Sequence, residues 1–289
     1  MIAIVSDSTA GLSPDYVAKH DIIVVPLYIK MGVRVLREGV ELSSADFYAQ
    51  LPHINPLPTT SQPSVGDLAA AYQAAIDRGA TSILSVHLSQ GISGTVNSAN
   101  LAAQQFPQVR IDVVDSGCAV AVNVMAVQAG VAVRDAGGSH DEVLARMNAV
   151  IDAHRTIFVV DTLEYLYKGG RIGGAAALAG SLLQMKPLLV FQEGKINALR
   201  KVRGSSRAIS QMIDILVEWL GSTEPLRTIV MQADCLERSE QVLEQLREKL
   251  NIVSGEIVVL SPVIGTHVGP GTIGVCCCPM SICGVPEDQ

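Results

Sequence analysis

The sequence predicts an α/β protein made of two α/β domains, the first carrying a mostly parallel, Rossmann-like sheet. Three observations lead there. Aliphatic strand-like runs alternate with helix-like segments from residue 1 to about 154, the pattern of parallel strands joined by crossover helices. Only 17% of the 289 residues are charged, 48% are hydrophobic, and mean hydropathy is +0.34; strands buried on both faces of a parallel sheet require such a composition. After residue 155 the chain resumes with new strands, a hairpin and amphipathic helices. The expected domains are therefore 1–155 and 156–289.

In order along the chain, Ile2–Ser6 reads as a buried strand ending at Asp7-Ser8-Thr9, and Ser13-Pro14 as a helix N-cap with proline at the first helical position. Ile22–Ile29 is β-rich but broken by Pro26, which points to an edge strand or two short pieces. Ser43 and Ser64 each stand three residues before an aspartate, a helix-start signal. The second of these helices should stop at Gly79. Between them, 52–63 reads as a proline-rich loop. Strand 81–88, a turn over Ser89–Thr95, a helix to about Gln105 and strand 109–114 follow. Helices are expected over 118–136 and from Ser139 to about 154. Ligands of such sheets lie beyond the carboxyl ends of the strands, which places Asp7, Ser89–Ser93 and Asp115-Ser116 on one rim. In the second half the spacing predicts a strand over 156–160 and a hairpin of 186–191 with 195–199 around Glu193-Gly194. Helix 205–220, strand 227–232, helix 235–250 and strand 255–260 come next. A Gly/Pro turn holding His267 leads into a final β-like run to Cys278.

Net charge is −7, with no basic stripe interleaved with aromatics, so nucleic acid is a poor partner. Met1–Asp7 reads as a first strand rather than a leader peptide, and the apolar stretch 119–133 is too short and too polar to span a bilayer. These features predict a cytoplasmic protein without stable membrane insertion, its six cysteines reduced. Cys276, Cys277, Cys278 and Cys283 form no C-x-x-C pair and have no histidine nearby, so no metal is expected. Alternation along a strand would put adjacent cysteines on opposite faces.

The stretch Ser82–Ala99 carries the most chemistry. An aliphatic strand ends in a turn with Ser89, Gly91, Ser93 and Gly94 at the start of a helix, where unpaired N–H groups and the helix dipole favour an anion. Ser93 and Thr95 add hydroxyl donors. Three other places stand out, each with a plainer reading beside it. Thr59–Ser64 offers hydroxyls and an amide, or merely a helix cap. Arg171, between glycine pairs, is an anion ligand or a surface ion pair. His267 is a site residue or a packed histidine. Gly269–Gly274 fits G-x-G-x-x-G, but no βαβ unit follows it, and the sequence contains neither a Walker A run nor a G-x-S-x-G elbow.

"DSTA" at 7–10, "TSQPS" at 60–64, "SGTVNSA" at 93–99, "VDS" at 114–116, "KGGRI" at 168–172, "KPLL" at 186–189 and "GTHVGPGT" at 265–272 resemble, in order and over nearly the whole chain, the DegV family. The resemblance implies the DegV-like fold with a fatty acid held between two domains. It also implies a non-enzymatic carrier that presents the acyl carboxylate of palmitate, oleate or a similar acid to a separate fatty acid kinase, with no other cofactor. Transferred position by position, Thr60 and Ser93 would bond the carboxylate, Arg171 and His267 would complete its network, and Ser61 and the Gly94 turn would adjoin it. The acyl tail is expected near 163–166 and 175–189. Two alternatives remain at this point: a serine hydrolase using Ser93 and His267, and a carrier of another hydrophobic acid. The triple cysteine departs from the larger apolar residues expected after Gly274.

Overall fold

A computed structural model describes residues 1–178 and 185–284 of the chain, with side chains described outside 177–184. In chain order the first half runs β1 (Ile2–Asp7), α1 (Pro14–Lys19), β2 (Ile23–Val25), β3 (Tyr28–Met31), β4 (Arg34–Arg37), α2 (Ser44–Gln50), β5 (Thr59–Ser61), α3 (Val65–Asp77), β6 (Ser82–His87), α4 (Thr95–Ala103), β7 (Arg110–Asp115), α5 (Ala121–Asp135) and α6 (His140–Ala153). The second half runs β8 (Arg155–Val159), α7 (Glu164–Lys168), β9 (Met185–Gln192), β10 (Lys195–Arg203), α8 (Ser205–Leu220), β11 (Leu226–Gln232), α9 (Leu236–Lys249), β12 (Ile252–Val259), α10 (Pro262–Val268), β13 (Ile273–Pro279) and α11 (Met280–Cys283).

Local chemistry sets many of these boundaries. Ser64 and Ser139 each accept the backbone N–H three residues on, while Asp67 and Glu142 reach back to the serine N–H. Two orphan donors are satisfied at each helix start. Gly79 takes φ +91 after α3, a conformation only glycine adopts without cost.

The strands form three sheets. The first is fully parallel, in the order β2-β1-β6-β7. Its central strand β6 is buried at all six positions, as expected of a strand covered on both faces. The second is six-stranded, β10-β9-β8-β13-β11-β12, antiparallel except for the β11–β12 pair. A small antiparallel sheet, β4-β3-β5, extends from the first half. Pro26 does split the 22–29 run, into an edge strand of the parallel sheet and a strand of the small one.

Packing follows the alternation of side chains. On one face of the parallel sheet, Ala3, Val5 and Ile83 pack against Leu68, Tyr72 and Ala99 of α3 and α4. On the other, Ile4, Leu84 and Val86 share a core with α5, α6 and the inner face of the second sheet, including Cys276 and Cys278. Cys277 points the opposite way, into the core under α8 and α9. The layers are thus helices, sheet, helices, sheet, helices. Covering both sheets on both faces accounts for the high apolar content. Among the described residues no helix is long and apolar enough to cross a membrane.

Two sequence expectations are corrected. Residues 59–61 are not loop but strand β5, with Thr60 opposite Ile29; the flanking prolines limit its length without preventing a short edge strand. His267 lies not in a turn but on α10, whose first residue is Pro262 and whose end is set by Gly269 at φ +75.

Candidate functional site

A cavity opens where β5, the Ser89–Thr95 turn, the segment after α7 and α10 converge. It holds about 830 Å³ of empty space, counting its open mouth. Five of the six sequence-predicted residues, Thr60, Ser61, Ser93, Arg171 and His267, line it together with Gln62. The remainder of the wall is almost entirely apolar.

The polar residues face one cavity through separate hydrogen bonds. Thr60 Oγ1 lies 2.7 Å from His267 Nε2. Arg171 donates from Nε to the Ile92 carbonyl (3.0 Å) and from Nη1 to the Gly169 carbonyl (2.7 Å). The first bond ties the guanidinium to the residue preceding Ser93. Ser93 Oγ lies 2.9 Å from Thr95 Oγ1, and its N–H is held by the Ser89 carbonyl. Burial, then the neighbouring Arg171 charge, lower the His267 pKa to about 4. The ring is therefore neutral at pH 7, with one nitrogen able to donate and the other able to accept. Its Nδ1 is buried without a hydrogen-bond partner.

Glycines make these approaches possible. A methyl at Gly169 would strike His267 Nδ1, and one at Gly91 would strike the Gly194 carbonyl. Here the turn meets the β9–β10 hairpin, and Ser89 Oγ donates to the same carbonyl at 2.7 Å. The sixth expected residue, Gly94, is placed differently. It is not part of the wall but lies under Gln62, whose Nε2 would be 2.7 Å from an added methyl. Its lack of a side chain lets Gln62 reach the cavity.

The expectation of a shared rim is corrected at Asp7. Its carboxylate is fully buried, accepting from Thr9 N and Oγ1, His87 Nδ1 and Leu88 N. It anchors the strand end that precedes the Ser89 turn and does not face the cavity. The pairing a Ser93–His267 hydrolase would use is not made either: the histidine bonds Thr60 and the serine bonds Thr95.

The apolar end is built from Cys118, Thr156, Phe158, Met231 and Gly274. Burial pushes the Cys118 thiol up to about 12, keeping it neutral. Of the expected tail residues, Leu166 lines the cavity and Leu163 does not. Residues 179–184 lie outside the described residues. Just before the second expected tail segment, Gly173 and Gly174 pack on Ile196 and Asn197 of β10.

Glu38 was given no role by the sequence. Only 3% exposed, it accepts from Ser8 Oγ (2.5 Å) and from Val263 N in the first turn of α10 (2.6 Å). Tyr48 donates to the Leu260 carbonyl just before that helix. Residues of the first half thus seat the helix that carries His267. Burial raises the Glu38 carboxyl above its ordinary range despite these bonds. Among the described residues no group of His, Cys, Asp and Glu is arranged to hold a metal.

Known proteins share this arrangement of sheets. A DegV protein from Thermus thermophilus, whose structure is described by its fatty acid binding, superposes with a TM-score of 0.89 at 34% identity, over 96% of this chain and 99% of the other. DegV from Bacillus subtilis, described as a fatty acid binding protein, gives a TM-score of 0.88 at 31% identity over 96% and 99%. A DegV domain-containing protein of Halalkalibacterium halodurans is 37% identical over 276 residues, covering 95% of this chain and 97% of that protein. The family described as "Uncharacterised protein, DegV family" matches residues 1–280. With two α/β domains, a family match over residues 1–280 and a relative 37% identical over nearly its whole length, the chain belongs to the DegV family.

Proposed function

We propose that this protein is a long-chain fatty acid carrier that holds the acyl carboxylate at the Thr60–Ser93–Arg171–His267 group and presents it to a separate kinase, which forms the acyl phosphate. The observation that carries this reading is the division of one cavity into a hydrogen-bonding end and an apolar end. Cavity residues come from both 1–155 and 156–289, which we take as the two domains gripping the ligand.

A buried carboxylate must be paired and hydrogen-bonded. Arg171 supplies charge, and Ser93 supplies a hydroxyl. When neutral His267 donates from Nε2 to Thr60 Oγ1, the threonine O–H is free to donate to the ligand. Each charge-assisted bond contributes about 1.5–3 kcal/mol. Burying the fourteen methylenes of palmitate contributes about 11 kcal/mol before binding costs, at ~0.8 per CH₂. The tail therefore dominates affinity, and the polar end sets which way the acid lies. Phosphoryl transfer needs bound nucleotide phosphates and metal, which we assign to the kinase. The carrier would work in the cytoplasm without inserting in the bilayer.

Native mass spectrometry of the purified protein tests the reading. A mass increment identified after extraction as a long-chain fatty acid is expected, as is uptake of added palmitate or oleate by stripped protein. No increment and no uptake would overturn it; a different hydrophobic acid would replace the ligand but keep the carrier. Loaded protein with ATP and hydroxylamine should give no acyl hydroxamate. Its formation would show an enzyme.

A further inference from the structure

The cysteines at the end of β13 form a chemical group of their own, apart from the cavity's polar end. Cys278 lies opposite Arg227 in the β13–β11 pairing. Arg227 is fully buried; its Nη2 donates to Gln128 Oε1 (2.6 Å) and Glu256 Oε1 (2.5 Å), while Nε and Nη1 have no hydrogen-bond partner. Buried guanidinium N–H groups left unpaired are costly and favour negative charge beside them. Five residues after Cys278, Cys283 closes the single turn of α11. Its Sγ donates to the Cys278 carbonyl at 3.7 Å, which brings the two cysteines together.

We propose that Cys278 and Cys283 are a peroxide-oxidisable dithiol that closes into an intramolecular disulfide beside Arg227. The Cys278 S–H stabilises a Cys283 thiolate, and the arginine charge favours the anion further, so the Cys283 pKa is lowered while that of Cys278 is raised. The thiolate is the nucleophile. Cys283 sulfur attacks a peroxide oxygen: the S–O bond forms, the O–O bond breaks, and the departing hydroxide takes up a proton to leave as water. Cys278, giving up its proton, then attacks the sulfenic sulfur, forming S–S and releasing a second water. Two thiols and one peroxide give one disulfide and two waters; sulfur loses two electrons and oxygen gains them. Access is through α11, a four-residue helix held by Arg146 donating to the Ser281 and Ile282 carbonyls. So short an element opens at lower free energy than the strands behind it.

The test is brief hydrogen peroxide treatment of the native protein, a catalase quench, unfolding with iodoacetamide, and peptide mapping. A 2 Da loss confined to the peptide holding Cys278 and Cys283, reversed by dithiothreitol and absent in Cys283→Ser, is expected. Cys235 is the internal comparator: it is less buried, and its pKa is raised by burial. Cys283 should react about tenfold faster, because its larger thiolate fraction outweighs the easier access to Cys235. Oxidation of Cys235 first, a disulfide between other cysteines, or six alkylatable thiols after treatment would each overturn the proposal. The wild-type map is decisive even if the variant folds poorly.

Discussion

Replacing Gly169 by alanine perturbs the polar end without removing any polar group. The residue has φ −76 and ψ −9, helical values that alanine adopts freely, so the effect is purely steric. The new methyl would fall against His267 Nδ1 and lie 2.9 Å from the Tyr165 carbonyl. The imidazole must retreat by about 1 Å to restore ordinary contact, which stretches the 2.7 Å bond to Thr60 beyond hydrogen-bonding range. Thr60 is then no longer oriented toward the ligand. Losing one charge-assisted bond costs about 1.5–3 kcal/mol, roughly a 10- to 150-fold loss of palmitate affinity. Hexadecanol has the same tail but no carboxylate, and its affinity should change by less than about threefold. Calorimetry or displacement of a fluorescent fatty acid from both proteins measures the pair. Equal weakening of acid and alcohol, or unchanged palmitate binding, would refute the role given to the Thr60–His267 pair.

Arg171→Ala should weaken palmitate more than Ser93→Ala does, by about 2–5 kcal/mol against roughly 1–2, because it leaves a buried carboxylate without its countercharge; competition binding separates them. Gly274→Ala should shorten the apolar end, since the methyl meets Met231 Cε at 2.9 Å and Phe158 Cβ at 3.3 Å. Each methylene it excludes costs about 0.8 kcal/mol, so preference should shift to shorter acids in a chain-length series. His154 and His267 are both lowered to about 4, chiefly by burial. A histidine lowered in the folded state is fully stabilising above its unfolded value of 6.5, and loses that contribution as pH falls toward 4. Each is worth about 3 kcal/mol across that window, so urea midpoints should fall steadily between pH 6.5 and 4, and less steeply in His154→Asn.

The parallel half was legible because its signals are local. Ser64 with Asp67, Ser139 with Glu142, and Gly79 mark helix ends by chemistry that acts within one turn. The residues of the polar end were legible from turn chemistry and family motifs, though their meeting in space was not. Strand β5 escaped detection because its pairing with β3 is long-range and prolines stand on either side. Helix α10 escaped because seven residues containing Gly265, two valines and an isoleucine have weak intrinsic helical preference; Glu38 and Tyr48, distant in sequence, seat it. The apolar end draws single residues from several separate segments, so no contiguous stretch announces it. Gly173 and Gly174 instead allow close packing on β10.

The most direct measurement of where the ligand's charge sits is carbon-13 NMR of the protein loaded with palmitate labelled at the carboxyl carbon. With the acid held by Arg171, Ser93 and Thr60, one bound resonance should stay at the carboxylate position well below the ordinary carboxyl pKa of about 4, and should move in Arg171→Ala. A bound carboxyl that titrates as a free acid does, in wild type and variant alike, would contradict the placement of the head group.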